Sequence, residues 1–252
     1  MAQERFLDGP MPDIVTQWRQ YLAWLEPGAG DTVIDVGCDT GDAARFLAQE
    51  YPAVQQIVGV ESDERRYQRA LERWRNGGAD PRVEFRRADA RNLPFADATF
   101  DKAICAEMLE FVKAPIEALS EIRRVLRPGG TALVVHTDWE TQVFATADQA
   151  RSRRAVIAFA GDGQGAGMGR RLYHLCRQAG FDRVEPMVYT LVNTAWVEDH
   201  YAPRVVELMS QWLEGTEFGA GELAQWRADV ADAVAEGDFF FAVSRFVCRC
   251  RR

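Results

Sequence analysis

Asp35, Asp39 and Asp42 crowd around two glycines, Gly37 and Gly41, in the run Thr32-Val33-Ile34-Asp35-Val36-Gly37-Cys38-Asp39-Thr40-Gly41-Asp42. The spacing is G-x-x-x-G. It is neither the G-x-G-x-x-G of a dinucleotide turn nor a phosphate loop ending in Lys-Ser/Thr. Three carboxylates in one turn repel a pyrophosphate and attract a cation. A fourth acid, Glu61, closes the run Gln56-Ile57-Val58-Gly59-Val60-Glu61. It follows the glycine turn at roughly the 20-residue spacing at which an acid reaches the hydroxyls of a ribose. An acid after a strand is on its own most often a helix cap or a solvated charge. The acidic glycine turn beside it favours ribose binding.

These side chains need elements to hold them. Val33, Ile34 and Val36 form a β-branched run that reads as a buried strand. Gly37 stops it, and Ala43-Ala44-Arg45-Phe46-Leu47-Ala48 opens a helix at about residues 42–51. A strand, a tight turn and a helix N-terminus make the place where open α/β sheets bind ligands, outside the carboxyl end of a strand. A ligand with a sulfonium, an ammonium and no phosphate suits the acids there, and S-adenosylmethionine is such a ligand. The other reading is an ordinary βα turn of another doubly wound protein.

The turn resembles motif I, D-x-G-x-G-x-G, of the class I S-adenosylmethionine-dependent methyltransferases. Asp39 stands at the middle glycine. Asp is among the residues that best tolerate positive φ if the position requires it. The resemblance continues downstream. Residues 82–88 read as a third strand, and Asp89-Ala90, followed by Leu93-Pro94-Phe95, is similar to the family's adenine-edge motif. There an anionic side chain accepts the exocyclic amine in a charge-assisted bond; a plain turn role is the alternative for Asp89. Residues 100–106 read as a fourth strand ending near Cys105, and the family's topology points its end at the methionine part of the cofactor. In Glu107-Met108-Leu109-Glu110-Phe111-Val112, Phe111 takes the place of a customary His. Glu110 either binds the cofactor, assists the acceptor, or is a surface or capping residue. Leu126-Arg127-Pro128-Gly129-Gly130 before the apolar strand 131–136 is typical of the group that includes the ubiquinone and menaquinone biosynthesis methyltransferases.

The resemblance covers about residues 32–138. It implies an α/β, doubly wound, Rossmann-like seven-stranded sheet of order 3-2-1-4-5-7-6, with strand 7 antiparallel, and a helical lid insertion. It also implies a cofactor set of Asp35, Gly37, Cys38, Asp39, Gly41, Glu61, Ser62, Asp89, Ala90 and Cys105. The cofactor is then S-adenosylmethionine, with S-adenosylhomocysteine as product.

The remaining chain is arranged around that core. Residues 1–12 read as an arm, and a helix follows over about 13–25, with Asp13 as N-cap and Ile14, Trp18, Tyr21, Leu22 and Leu25 as its apolar stripe. This helix either packs on the sheet or closes over the cofactor, or does both. A charged helix at about 63–76 ends at Gly77-Gly78, and an amphipathic helix runs from Pro115 to Arg127. Residues 146–160 look helical. Residues 161–169, dense in glycine, read as a loop; no strand precedes it, so a second phosphate turn is rejected. A helix at 170–179 stops at Gly180-Phe181, residues 184–192 form a sixth strand and 239–248 the last. Residues 201–213 and 222–236 are helical and resemble a lid that shapes an acceptor pocket. Trp196, Tyr201, Trp212 and Trp226 supply either pocket surface or the lid's own core. The expected organisation is an arm and helix over 1–30, a core over 31–194 and 237–252, and a lid over 195–236.

Methyl transfer is an in-line displacement from an already activated donor, so a protein supplies mostly alignment. A base is needed only if the nucleophile must lose a proton. His136, Asp138 and Glu110 are the candidate catalytic residues. Glu140 is a further candidate base, and His174 and His200 are weaker ones. A strand residue such as His136 can equally point into the core. No His, Cys, Asp and Glu cluster has metal-ligand spacing; Cys248 and Cys250 share a strand face, which suits a soft ion, but packing is the better reading of the cysteines. The five cysteines are odd in number and scattered, which argues against a disulfide scaffold.

The net charge of −8 and the lack of a Lys/Arg run before residues 249–252 exclude nucleic acid as the expected partner. No apolar stretch approaches the roughly 20 residues that span a bilayer, and no signal-peptide pattern follows Met1. The expected setting is cytoplasmic, as a monomer or homodimer, with a small apolar or aromatic acceptor. Two other functions compete: a cofactor-binding regulatory protein without transferase activity, and a nicotinamide-dependent oxidoreductase. The acidic G-x-x-x-G turn argues against the latter.

Overall fold

A computed structural model describes residues 11–161 and 167–252. The arm expected over residues 1–12 and the centre of the glycine-rich segment 161–169 therefore lie largely outside the described residues. Seven strands form one sheet in the order β3-β2-β1-β4-β5-β7-β6. They are β1 (Thr32–Val36), β2 (Gln56–Glu61), β3 (Val83–Arg87), β4 (Phe100–Ala106), β5 (Leu126–Ala145), β6 (Arg183–Asn193) and β7 (Phe240–Arg251). The first five strands are parallel to their neighbours, and β7 is antiparallel. The start of β5 meets the end of β7, where Gly129 N–H donates to Arg252 O and Arg252 N–H to Gly130 O. This is the strand order expected from the sequence.

The helices are α1 (Pro12–Leu25), α2 (Asp42–Glu50), α3 (Glu64–Asn76), α4 (Pro115–Val125), α5 (Gln149–Ala160), α6 (Met168–Gln178), α7 (Tyr201–Leu213) and α8 (Ala220–Glu236). The chain divides into two compact units, and it passes between them within α1, β5, α6, β6 and β7. Among the described residues, the larger unit comprises 19–136, 170–187 and 246–252, and the smaller 11–18, 137–161, 167–169 and 188–245.

In the larger unit β1 is buried at all but its first residue, because helices cover both faces of a parallel sheet. That is why Val33, Ile34 and Val36 read as one continuous apolar run. Asp35 sits opposite Gly59 of β2 and Ile104 of β4. Helix α3 is capped by Asp63, whose carboxylate accepts Arg66 N–H. Helix α4 begins at Pro115 and ends at Val125, and β5 starts directly at Leu126. The Arg-Pro-Gly-Gly segment thus opens a strand, and its extra residues are absorbed by a register shift between Phe100 and Lys102.

The smaller unit has its own apolar core around Phe144, Tyr201, Met209, Trp226 and Phe241. Trp226 and Tyr201 are buried there, and Trp196 packs edge-on against Phe239. Trp212 is half exposed, at 56%. These aromatics are therefore mostly core. Asp13 is not the N-cap of its helix: Pro12 precedes it inside α1, and its carboxylate accepts Tyr201 N–H at 2.9 Å and Asn193 Nδ2–H at 3.0 Å. The sequence pattern could not show these distant partners. Among the described residues no helix is long and apolar enough to cross a membrane.

Candidate cofactor site

The glycine turn is fixed by backbone bonds to the neighbouring strand. Gly37 and Cys38 N–H both donate to Val60 O, at 2.8 and 3.0 Å. The two glycines adopt positive φ, as does Asp39 at 50°, so the turn does need a left-handed residue where Asp replaces glycine. Close approach explains the glycines further. A Cβ on Gly37 would lie 2.4 Å from the Met108 side chain, and one on Gly41 would lie 2.5 Å from the Phe85 ring. Gly41→Ala is expected to destabilise the protein by about 2 kcal/mol, through backbone strain and the displaced Phe85 ring. The midpoint of urea unfolding checks this.

Glu61 organises the turn from the tip of β2. Its Oε1 accepts Ser62 N–H at 2.8 Å and Asp63 N–H at 2.9 Å, and its Oε2 accepts Asp39 N–H at 3.1 Å. A carboxylate offers about four acceptor positions, so capacity is left mainly on Oε2. On the third strand tip, Asp89 holds Arg91 through its side chain and backbone N–H. Those bonds keep its carboxyl below the usual range.

These tips border one cleft of about 340 Å³. Of the residues expected to bind cofactor, Gly37, Asp39, Glu61, Ser62, Asp89 and Ala90 line it. Asp63, Arg66, Glu107, Met108, Phe111 and Val112 line it as well. Among the described residues, five carboxylates and one guanidinium face this space. Asp35, Cys38, Gly41 and Cys105 are not among the lining residues. Asp35 is buried, and its Oδ2 has no hydrogen-bond partner among the described residues. Burial, followed by the charges of Glu61 and Asp39, raises its carboxyl to about 7. Burial likewise pushes the thiols of Cys38 and Cys105 well up, which marks them as packing groups rather than nucleophiles.

The candidate catalytic residues are placed differently. Glu110 lies on a 3-10 turn, Leu109–Phe111, between residues that line the cleft. His136, midway along β5, is fully buried, and its Nδ1 is 3.5 Å from Glu107 Oε2. Asp138 belongs to the smaller unit, is also fully buried, and its carbonyl accepts the Thr141 hydroxyl at 2.6 Å. Glu107 is the acid that the sequence undervalued. It is the first residue past β4, at φ 51°, with its N–H bonded to Val135 O. Its position directly after the strand was a usable signal; its backbone conformation was not. Arg66 was readable only as one more charge on an exposed helix.

A buried carboxyl with one unpartnered oxygen, close to two acids of the cleft, is the environment a cationic ligand would complete. The residues present therefore fit S-adenosylmethionine. Glu61 would take ribose hydroxyl, Asp89 and Ala90 the adenine edge, and Asp35 and Asp39 the charged methionine part.

Residues 34–134 match the family model described as "Methyltransferase domain". An uncharacterized 37.1 kDa protein in a transposon of Streptomyces fradiae is 29% identical over 228 residues, covering 88% of this chain and 63% of that protein. The ubiquinone/menaquinone biosynthesis C-methyltransferase UbiE of Desulfotalea psychrophila is 33% identical over 123 residues, covering 48% of each. The chain thus spans less than two thirds of the length of these curated relatives. The crystal structure of the YcgJ protein of Bacillus subtilis superposes with a TM-score of 0.61 at 17% identity, over 93% of this chain and 97% of that one, which shows the shared fold. Residues 34–134 are thus similar to a methyltransferase domain, and they lie in a sheet with the strand order expected from the sequence.

Proposed function

We propose that the protein transfers a methyl group from S-adenosylmethionine to a small, apolar or aromatic metabolite, at oxygen, nitrogen or carbon. The observation that carries this reading is the acid-lined cleft, with buried Asp35 beside it, at the carboxyl ends of β1 and β2. Bound there, S-adenosylmethionine supplies a methyl group activated by a sulfonium. The chain's own residues then have three tasks. Glu61, with Asp89 and Ala90, holds and orients the nucleoside. Asp35 and Asp39 counter the positive charge. His136, whose Nδ1 lies 3.5 Å from Glu107 Oε2, is the first candidate to take a proton from the acceptor. Asp138 and Glu110 are the other two candidate bases.

The acceptor class is supported by two things. The smaller unit carries a run of edge-on aromatic contacts, Trp139–Phe159–Trp212, that ends on half-exposed Trp212. Named relatives act on small molecules, among them a 27-O-demethylrifamycin SV methyltransferase. A role in secondary metabolism goes with that likeness.

The test is a label-transfer screen with methyl-labelled donor against phenols, amines and quinone precursors. Transfer to at least one of them is expected. His136→Gln is expected to slow transfer to a hydroxyl acceptor at least about a hundredfold with donor affinity unchanged. Donor binding without transfer to any acceptor favours a regulatory protein of the same fold. Preferential binding of a nicotinamide cofactor overturns the methyltransferase reading.

A further inference from the structure

The acids around the glycine turn are not equivalent. Asp42 is turned into an ion-pair network, with Arg73 Nη1 at 2.9 Å, Thr40 Oγ1 at 3.0 Å and Arg45 also bound to it. Asp89 is held by Arg91. Asp39 is different. It lines the cleft, its Oδ1 is shielded from solvent without a hydrogen-bond partner among the described residues, and its nearest cation, Arg66 Nε, stays at 3.8 Å. Its backbone N–H donates to Glu61 Oε2, which fixes the main chain that carries the carboxylate. This incompletely countered carboxylate stands where motif I has a glycine, which would bring no charge.

We infer that Asp39 selects the cationic methyl donor over its neutral demethylated product. The inference rests on the cofactor reading above. Donor and product differ by one methyl group and one unit of charge on sulfur. Contacts to adenine, ribose and the amino-acid end are common to both and cannot separate them. A fixed negative charge can. Asp39 lines the same cleft as Glu61 and Ala90, and a charge is felt over roughly 8 Å at physiological salt, so its field acts on a sulfonium held beside it. With an effective dielectric between protein and water, one carboxylate at such a separation discriminates by roughly five- to tenfold. The partial exposure of Asp39 and the nearby Arg66 hold it to that modest size. The consequence is faster exchange of spent cofactor for fresh donor.

Titration calorimetry on the full chain tests this with S-adenosylmethionine and S-adenosylhomocysteine, each at low and high salt. Asp39→Asn keeps the side-chain shape and tolerates the positive φ. It is expected to weaken donor binding roughly five- to tenfold and product binding less than about twofold, with the difference shrinking in high salt. Arg66→Gln removes the opposing charge and is expected to shift the donor-to-product ratio the other way. Equal shifts for both ligands, or none in either variant, overturn the proposal and leave the cofactor reading standing. A wild-type protein that binds neither ligand overturns the cofactor reading and the inference with it.

Discussion

Glu61→Ala is expected to raise the dissociation constant for S-adenosylmethionine by at least about a hundredfold. A hydrogen bond to a charged acceptor contributes about 1.5–3 kcal/mol, and each 1.4 kcal/mol is a factor of ten in affinity. The structure adds a second loss. The same carboxylate ties down Asp39, Ser62 and Asp63 through their N–H groups, so its removal loosens the turn that faces the ligand. Glu61 is buried, and the three donors must find water instead. The variant should therefore fold, with unchanged far-ultraviolet circular dichroism, but unfold at lower denaturant. Glu61→Gln separates the two effects. One amide oxygen can still accept from the backbone, so stability recovers in part, whereas the lost charge keeps donor affinity low. Wild-type affinity in Glu61→Ala would remove Glu61 from the site.

Asp35→Asn is expected to make the ligand-free protein more stable at pH 8 while weakening its hold on the donor. Burial beside Glu61 and Asp39 raises the Asp35 carboxyl from 3.8 to about 7. The folded state then binds more protons than the unfolded state between those two values. Stability is accordingly present at pH 4 and lost as pH rises through about 7. A shift of that size amounts to about 4 kcal/mol when complete, or a fall of roughly 8 °C in Tm for a chain this long. Asparagine has no charge to bury. Its Tm should exceed that of the wild type at pH 8, and the two should converge as the pH falls to about 4. Donor binding brings a positive charge to the carboxylates and favours ionised Asp35, so it should release protons between pH 6 and 7. Calorimetry in buffers of different ionisation enthalpy reads that release directly. A Tm for the wild type that does not fall between pH 5 and pH 8 would show that Asp35 is charged and compensated in the free protein.

Both expectations concern a side chain whose type and place were readable before its surroundings were known. The β-branched run around Asp35, the acid ending β2 and the punctuation at Gly37, Gly77 and Gly180 depend on the chain within a few residues of each position. Local sterics and backbone hydrogen bonding act over that range, so strand, turn and helix could be placed from the sequence. The helices at 201–213 and 220–236 were visible for the same reason, since an apolar stripe at helical period announces itself. The acidic turn also carried its own chemistry, because charge repels phosphate in any fold.

What the tertiary structure decided was partnership. Asp42 and Asp39 are three residues apart in one turn, yet the fold brings Arg73 and Arg45 to the first and leaves the second facing the cleft. Glu107 and Glu110 are two acids three residues apart, and the fold sets Glu107, a residue of positive φ just past the end of β4, 3.5 Å from His136. Asp13 reads as a cap but serves Tyr201 and Asn193, far along the chain. Gly41 reads as a place for ligand to approach but makes room for Phe85. Periodicity records which face of an element is apolar; it does not record which distant element covers that face. The energy of a charge depends on burial and on the groups within a few ångströms of it. Those distances exist only once the chain has folded.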